Sequence, residues 1–236
     1  MRCRVSTWAV LVLVVASAIS ACGGSSNHRV ASSSDNGIAS KSPEAIVTAA
    51  MGAIDRATSV HVAGSIVSGG APITLDLDLV SGKGGRGAMS QNGLSFQVVV
   101  LGRVVYINGS EAFWRHYGGV LAALLLHGNW LKAPASGRFA PLGVVSDPRK
   151  LFSTLLANHG TLAKGAKTVV NGQTVVAVND TTKGGTLYVA TMGTPYPVEV
   201  VKSGPQGGRI VFDRFNESVS VNAPPNAIDI SQLPFK

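Results

Sequence analysis

The chain has little cysteine: of 236 residues only Cys3 and Cys22 carry a thiol. Charged residues make up only 14%, aromatics 6%, and the 12 acids are outnumbered by 20 Lys+Arg. Two thiols exclude a disulfide-stapled scaffold and a cysteine-rich metal domain. Low charge beside an apolar fraction of 45% excludes an intrinsically disordered chain, which needs the reverse. The one long apolar run, Trp8 to Ile19, has about a dozen residues. That is short of the roughly 20 that cross a bilayer, so no stable spanning helix is expected. Basic residues are scattered singly apart from Arg149-Lys150, without a basic helix or aromatic interleaving, which argues against a nucleic-acid partner. Glycine, by contrast, is plentiful at 28 residues, in a chain rich in Ser and Thr. Such a composition suits an extracytoplasmic, β-rich protein, and the length suits one large domain.

The N-terminus is the most explicit segment. Arg2 and Arg4 precede the apolar run, as in a secretory signal. The run ends in Ile19-Ser20-Ala21-Cys22, followed by Gly23-Gly24, which resembles a bacterial lipobox. Proteins with this arrangement receive a diacylglyceryl group on the cysteine and are cleaved just before it. Residues 1–21 therefore read as a lipoprotein signal peptide and Cys22 as the lipidation site. An ordinary signal with a chance cysteine is the alternative. Cleavage removes two basic residues and no acid, so the charge falls from +8 to +6. It also removes Cys3 and leaves Cys22 blocked, so no thiol chemistry is expected in the folded part. Two or three acyl chains anchor stably where one does not, which places the protein on the extracytoplasmic face of the cell membrane. Residues 22–41, the lipidated cysteine and a Ser/Gly/Asn-rich stretch, read as a flexible tether of roughly 25 Å end to end. The positive charge either favours anionic headgroups or serves solubility.

Residues 42–236 read as a single folded domain. Ser42-Pro43-Glu44 opens a helix whose apolar residues recur at helical spacing to about Thr58. Strands follow, the clearest having Ile73, Leu75, Leu77 and Leu79 on one face and Thr74, Asp76 and Asp78 on the other. Asn92-Gly93 predicts a hairpin leading into Leu94, Phe96, Val98 and Val100. A helix is predicted from Glu111 to about His127, broken or kinked at Gly118-Gly119. A loop follows over 130–142, then a helix from Asp147-Pro148 to Asn158. Short strands fill the rest, the last at 218–222. The pattern predicts an α+β fold: one large antiparallel sheet of about 10–11 strands with three helices.

At this point the chain resembles the LppX/LprG group of actinobacterial lipoproteins, within the LolA/LolB-like lipoprotein-carrier superfamily. The likeness is carried by Thr58-Ser59-Val60-His61-Val62-Ala63, by Trp130-Leu131-Lys132, by Asp147-Pro148, and by the stretch from Tyr188 through Val221-Asn222-Ala223-Pro224. The resemblance implies a strongly curved, LolA-like half-barrel with helices covering its concave face. It further implies an apolar cavity for the acyl chains of lipids or glycolipids, transport or display of these across the envelope, and no enzymatic activity. An envelope transporter partner would fit that role. Candidate lining residues are Leu75, Leu77, Phe96, Val98, Phe113, Trp114, Tyr117 and Leu121. On the residues alone, a dry interdigitated core stays equally open, and with it a structural or interaction lipoprotein without lipid cargo.

Other chemical signals are weak. Gly82-Lys83-Gly84-Gly85-Arg86-Gly87 matches GxGxxG, but Ala88 to Gly93 read as strand and turn, not the helix that a dinucleotide site requires. The histidines His28, His61, His116, His127 and His159 are dispersed, with no pair at i, i+4. Asp76 and Asp78 share the polar face of one strand and read as solvated. There is no Gly-x-Ser-x-Gly elbow. No catalytic residue, metal site or cofactor is expected.

Overall fold

The computed structural model describes residues 34–156 and 159–233. The signal peptide, Cys22 and the tether as far as residue 33 lie outside the described residues. Everything described sits in the compact unit Ser33–Lys236.

Helix α1 (Pro43–Arg56) starts as predicted: the Ser42 hydroxyl accepts from the Ala45 N–H at 3.3 Å and Pro43 occupies the first turn. Five hairpin-connected strands follow: β1 (Ser59–Ser68), β2 (Ala71–Val80), β3 (Gly84–Gln91), β4 (Leu94–Leu101) and β5 (Val104–Gly109). Then come α2 (Glu111–Leu126), β6 (Leu131–Pro134), a run of 3-10 turns at Gly137–Ser146, and α3 (Pro148–Leu156). The second half supplies β7 (Leu162–Val170), β8 (Gln173–Asp180), β9 (Thr186–Ala190), β10 (Pro197–Lys202), β11 (Gly208–Asp213) and β12 (Ile228–Asp229).

All twelve strands form one sheet in the order β12-β6-β5-β4-β3-β2-β1-β11-β10-β9-β8-β7. Each half is a meander, and the halves join where β1 pairs with β11. The edges β12 and β7 do not meet, so the curved sheet stays open, in the half-barrel arrangement expected. Helices cover one face. There the inward residues of β1, β2 and β11 (Val60, Val62, Leu77, Leu79, Ile210 and Phe212) are nearly fully buried, together with Ile46 and Ile54 of α1 and Phe152 of α3. Phe152 meets Phe212 edge-on at 5.5 Å.

The structure departs from the expected organisation in four places. Twelve strands form among the described residues, because β6 arises inside the expected loop and the short β12 beyond residue 222, with Leu131 and Ala133 buried between β5 and β12. The β12–β6 pair is parallel, the one exception to the antiparallel pattern among the described residues. Residues 218–222 form no strand. Every interior edge is already paired, so after the turn at Arg214 and Asn216 (φ 48° and 62°) the chain passes over the convex face. There Ser220, Asn222 and Pro224 line a groove with Trp130, Asp76, Asp78 and Gln97. Finally, residues 34–41, expected as the end of the tether, are part of the fold. Asp35 bridges to Met192, Asn36 Nδ2 donates to the carbonyls of Ala190 and Gly193 at 3.0 Å each, and Ile38 is buried.

The Gly82–Gly87 run forms the β2–β3 turn and the start of β3. Its glycines serve close packing: a Cβ on Gly85 would stand 2.2 Å from the Val145 carbonyl, so the 3-10 run lies directly on β3 there. No phosphate-binding helix start adjoins it.

Candidate functional site

The concave face carries a filled core with a pocket towards each end. One, of about 280 Å³, lies between α2, the 3-10 run and the β3–β6 half of the sheet. Its walls are almost wholly apolar: Phe96, Ile107, Phe113, Trp114 and Tyr117 on one side, Phe139, Leu142 and Ile230 on the other. Gln91 and Arg138 are its polar exceptions.

Local structure explains how the aromatic wall is set. Ser110 caps α2, its hydroxyl accepting from the Phe113 N–H at 3.1 Å, which fixes the first turn over β5. Gly109 leaves room for the Phe113 ring, which a Cβ there would meet at 2.3 Å. Phe113 then contacts Phe96 and Tyr117, both at 4.8 Å between centroids, and Trp114 edge-on at 5.0 Å. The Tyr117 hydroxyl donates to Gln91 Oε1 at 3.1 Å. Trp114 Nε1–H is buried without a partner, an uncommon state for a buried donor.

Of the eight residues expected to line a cavity, Phe96, Phe113, Trp114 and Tyr117 come together here. Leu75, Leu77 and Val98 are core residues that do not line this pocket; Leu77 and Val98 are 1% and 0% exposed. Leu121 points away from it, 48% exposed on the outer face of α2. Sequence reasoning missed Arg138, Phe139, Leu142 and Ile230, which sit in stretches without periodicity. The apolar character of 139–145 signalled Phe139 and Leu142; nothing local signalled Arg138 or Ile230.

The second pocket, about 220 Å³, lies under α1 and α3 at the β8–β10 end. Val47, Leu155, Leu162, Val178 and Leu187 line its floor, with His159, Asp180, Lys183 and Lys202 around the rim. Asp180 is held below the usual carboxylate range by backbone N–H groups of Lys183 and Gly160, with smaller help from Thr182 and His159. Among the described residues, no serine or carboxylate hydrogen-bonds His116, His127 or His159. His159 Nδ1 instead faces the Gly160 carbonyl at 2.9 Å. Among the described residues there is also no metal-binding cluster and no helix long and apolar enough to cross a membrane.

An open, curved antiparallel sheet with helices and apolar pockets on its concave side defines the fold class. It is the fold of LprF from Mycobacterium bovis, whose crystal structure is similar with a TM-score of 0.53 at 14% identity, covering 77% of this chain and 96% of that one. The Mycobacterium tuberculosis lipoprotein LppX overlaps 80% of this chain and 100% of its own at 17% identity, with a TM-score of 0.48. No family model and no curated protein matches the chain in sequence.

Proposed function

We propose that this chain is an envelope lipoprotein, anchored through acylated Cys22 on the extracytoplasmic face of the cell membrane, that takes an acyl chain of a lipid or glycolipid into the α2 pocket and carries or presents it. The carrying observation is the aromatic pocket itself, open to solvent, walled by Phe96, Phe113 and Tyr117, with Arg138 as its cation. The sequence resemblance to the LppX/LprG lipoproteins, which implies lipid carriage, and the fold shared with LprF support the same reading. Each methylene enclosed stabilises a complex by about 0.8 kcal/mol before ordering costs. No cofactor or energy source is required, only a difference in affinity between donor and acceptor, and no step of bond chemistry is involved.

At about 280 Å³ the pocket is at the small end of the range of roughly 300–1,000 Å³ usual for ligand sites. It suits part of one chain; a lipid with several chains requires α2 to move. That small volume also favours the second reading, a structural or interaction lipoprotein with an essentially filled core. Native mass spectrometry with organic extraction separates the two. The protein is produced from residue 22 with Cys22→Ala, in a host with comparable envelope lipids. Copurifying acylated species are expected. A bare mass that persists after incubation with such lipids overturns the carrier reading in favour of the second.

A further inference from the structure

Beyond Gly119, helix α2 is apolar on the side that faces away from the sheet as well as on the side that packs. Gly119 breaks it (φ 78°, ψ −175°), and the piece beyond, Val120 to Leu126, contains no polar side chain. Ala122, Ala123 and Leu126 point inward and are buried. Val120, Leu121, Leu124 and Leu125 point outward and are 60%, 48%, 75% and 38% exposed. With Tyr117 they make five of the eight large apolar residues left exposed in the described chain, so the exposure is concentrated on one helix. A helix apolar all round belongs in a core or in lipid, and this one is only half covered.

Charge identifies the missing cover. From Ala112 to Ser146 the chain has no acid; Arg115 is paired with Glu111 and Lys132 with Asp229, which leaves Arg138, at the pocket wall, as the cation of this stretch without an ion-pair partner among the described residues. A second copy would offer Arg138 no acid from this stretch, whereas an anionic lipid surface accepts both the apolar ridge and Arg138 at the pocket beside it. Tyr117, at the border of ridge and pocket, is of the amphipathic type that favours the headgroup level.

We infer that the outer face of α2 docks on an anionic membrane, seating Val120, Leu121 and Leu124 at the headgroup–acyl boundary and bringing the mouth of the aromatic pocket to the bilayer. The value of this placement for lipid transfer rests on the carrier function proposed for the pocket; the docking does not. The anchor permits it. α2 lies over β5, seven strand positions from β9, about 34 Å along the sheet. The covalent chain from Cys22 to Ser34 can reach on the order of 40 Å.

The test is vesicle flotation with the chain from residue 22 carrying Cys22→Ala, so that no acyl group contributes. Vesicles are phosphatidylcholine alone or with phosphatidylglycerol. Binding is expected at least tenfold stronger to the anionic vesicles, and Val120→Ser/Leu124→Ser should lower it at least tenfold. Both positions are solvent-exposed, so the variant should keep its circular dichroism spectrum. Absence of flotation, or equal flotation of the variant, overturns the proposal. So does a wild-type dimer that the variant converts to monomer, which would make a second copy the cover. Loading of lauric acid from solution, followed by mass, is read in parallel. If neither protein loads it, the pocket reading fails while the docking result stands.

Discussion

His61 Nδ1 lies 2.6 Å from Asp213 Oδ1, the residue directly opposite it on the β1–β11 ladder. Its Nε2 lies 3.0 Å from Asp76 Oδ1 on β2. The imidazole is 13% exposed and the carboxylates 48% and 74%, so a nearly covered ring ties the two halves of the sheet together on the convex side. Two such partly exposed contacts stabilise by about 0.2–1 kcal/mol each, and the ring's own packing adds to that, so His61→Ala should cost about 1–2 kcal/mol. A urea-unfolding midpoint identical to wild type would refute the staple. Lipid loading should be unchanged, since the pockets are on the opposite face.

The parts of the fold legible in the sequence are those specified locally. Asn92-Gly93 and Asn171-Gly172 adopt positive φ throughout and turn their hairpins as their side chains dictate. The alternation of β2 and the capped start of α1 are equally direct. The illegible parts depend on partners far away in sequence. His61 meets Asp213 across 152 positions, so Asp76 reads as a solvated residue although its neighbour is a histidine on β1. Alternation places Leu77 and Phe96 alike on the inner face, but says nothing about which helix covers each. α1 and α3 fill the space over β1, β2 and β11, where Leu77 sits, and α2 leaves space over β4 and β5, where Phe96 sits. Residues 218–222 have strand composition, but the strands they pass over, β2 to β4, are already paired on both sides.

That distinction between Leu77 and Phe96 is measurable. Leu77 is 1% exposed in the filled core, so Leu77→Ala should cost about 2–5 kcal/mol and leave loading of the remaining folded protein intact. Phe96 lines the pocket on β4. Phe96→Asp places a carboxylate among Phe113, Trp114 and Tyr117 and should abolish loading in a protein that still folds. Lipid bound equally by folded Phe96→Asp and wild type would place the ligand elsewhere.

Acid should loosen the periphery before the core. Asp35 is held below its usual value of 3.8 by the Lys167 ammonium and the Gly37 N–H, and Asp229 by the Ser231 N–H and hydroxyl and by Lys132. Asp180 is lowered by its backbone donors. A depressed carboxylate contributes stability that is present above its unfolded pKa and lost as pH falls through the folded one. Stability should therefore be flat near neutrality and decline below about pH 4. Amide exchange should rise first at residues 34–41, at the β8–β9 turn and at 228–233. Asp180→Asn should flatten part of that decline in thermal unfolding; a wild-type pH profile in this variant would remove the clip from the account.

If the pocket admits lipid as proposed, Gly119 should link that admission to stability. Its φ of 78° with ψ of −175° is a conformation that essentially only glycine adopts, yet a Cβ there would meet no atom within 4 Å. The penalty for Gly119→Ala is thus purely backbone strain, about 1–3 kcal/mol, roughly 3–10 °C in melting temperature for a domain of this size. Alanine favours instead a continuous helix through residue 119, which would hold Val120–Leu126 rigidly to the Phe113–Tyr117 turn. Because the pocket is near the small end for a ligand site, a lipid with several chains enters only when one piece of α2 swings relative to the other. Gly119→Ala should therefore slow loading from vesicles severalfold more than it lowers the final amount bound. Loading at the wild-type rate by the folded variant would show that the break in α2 does not gate the pocket.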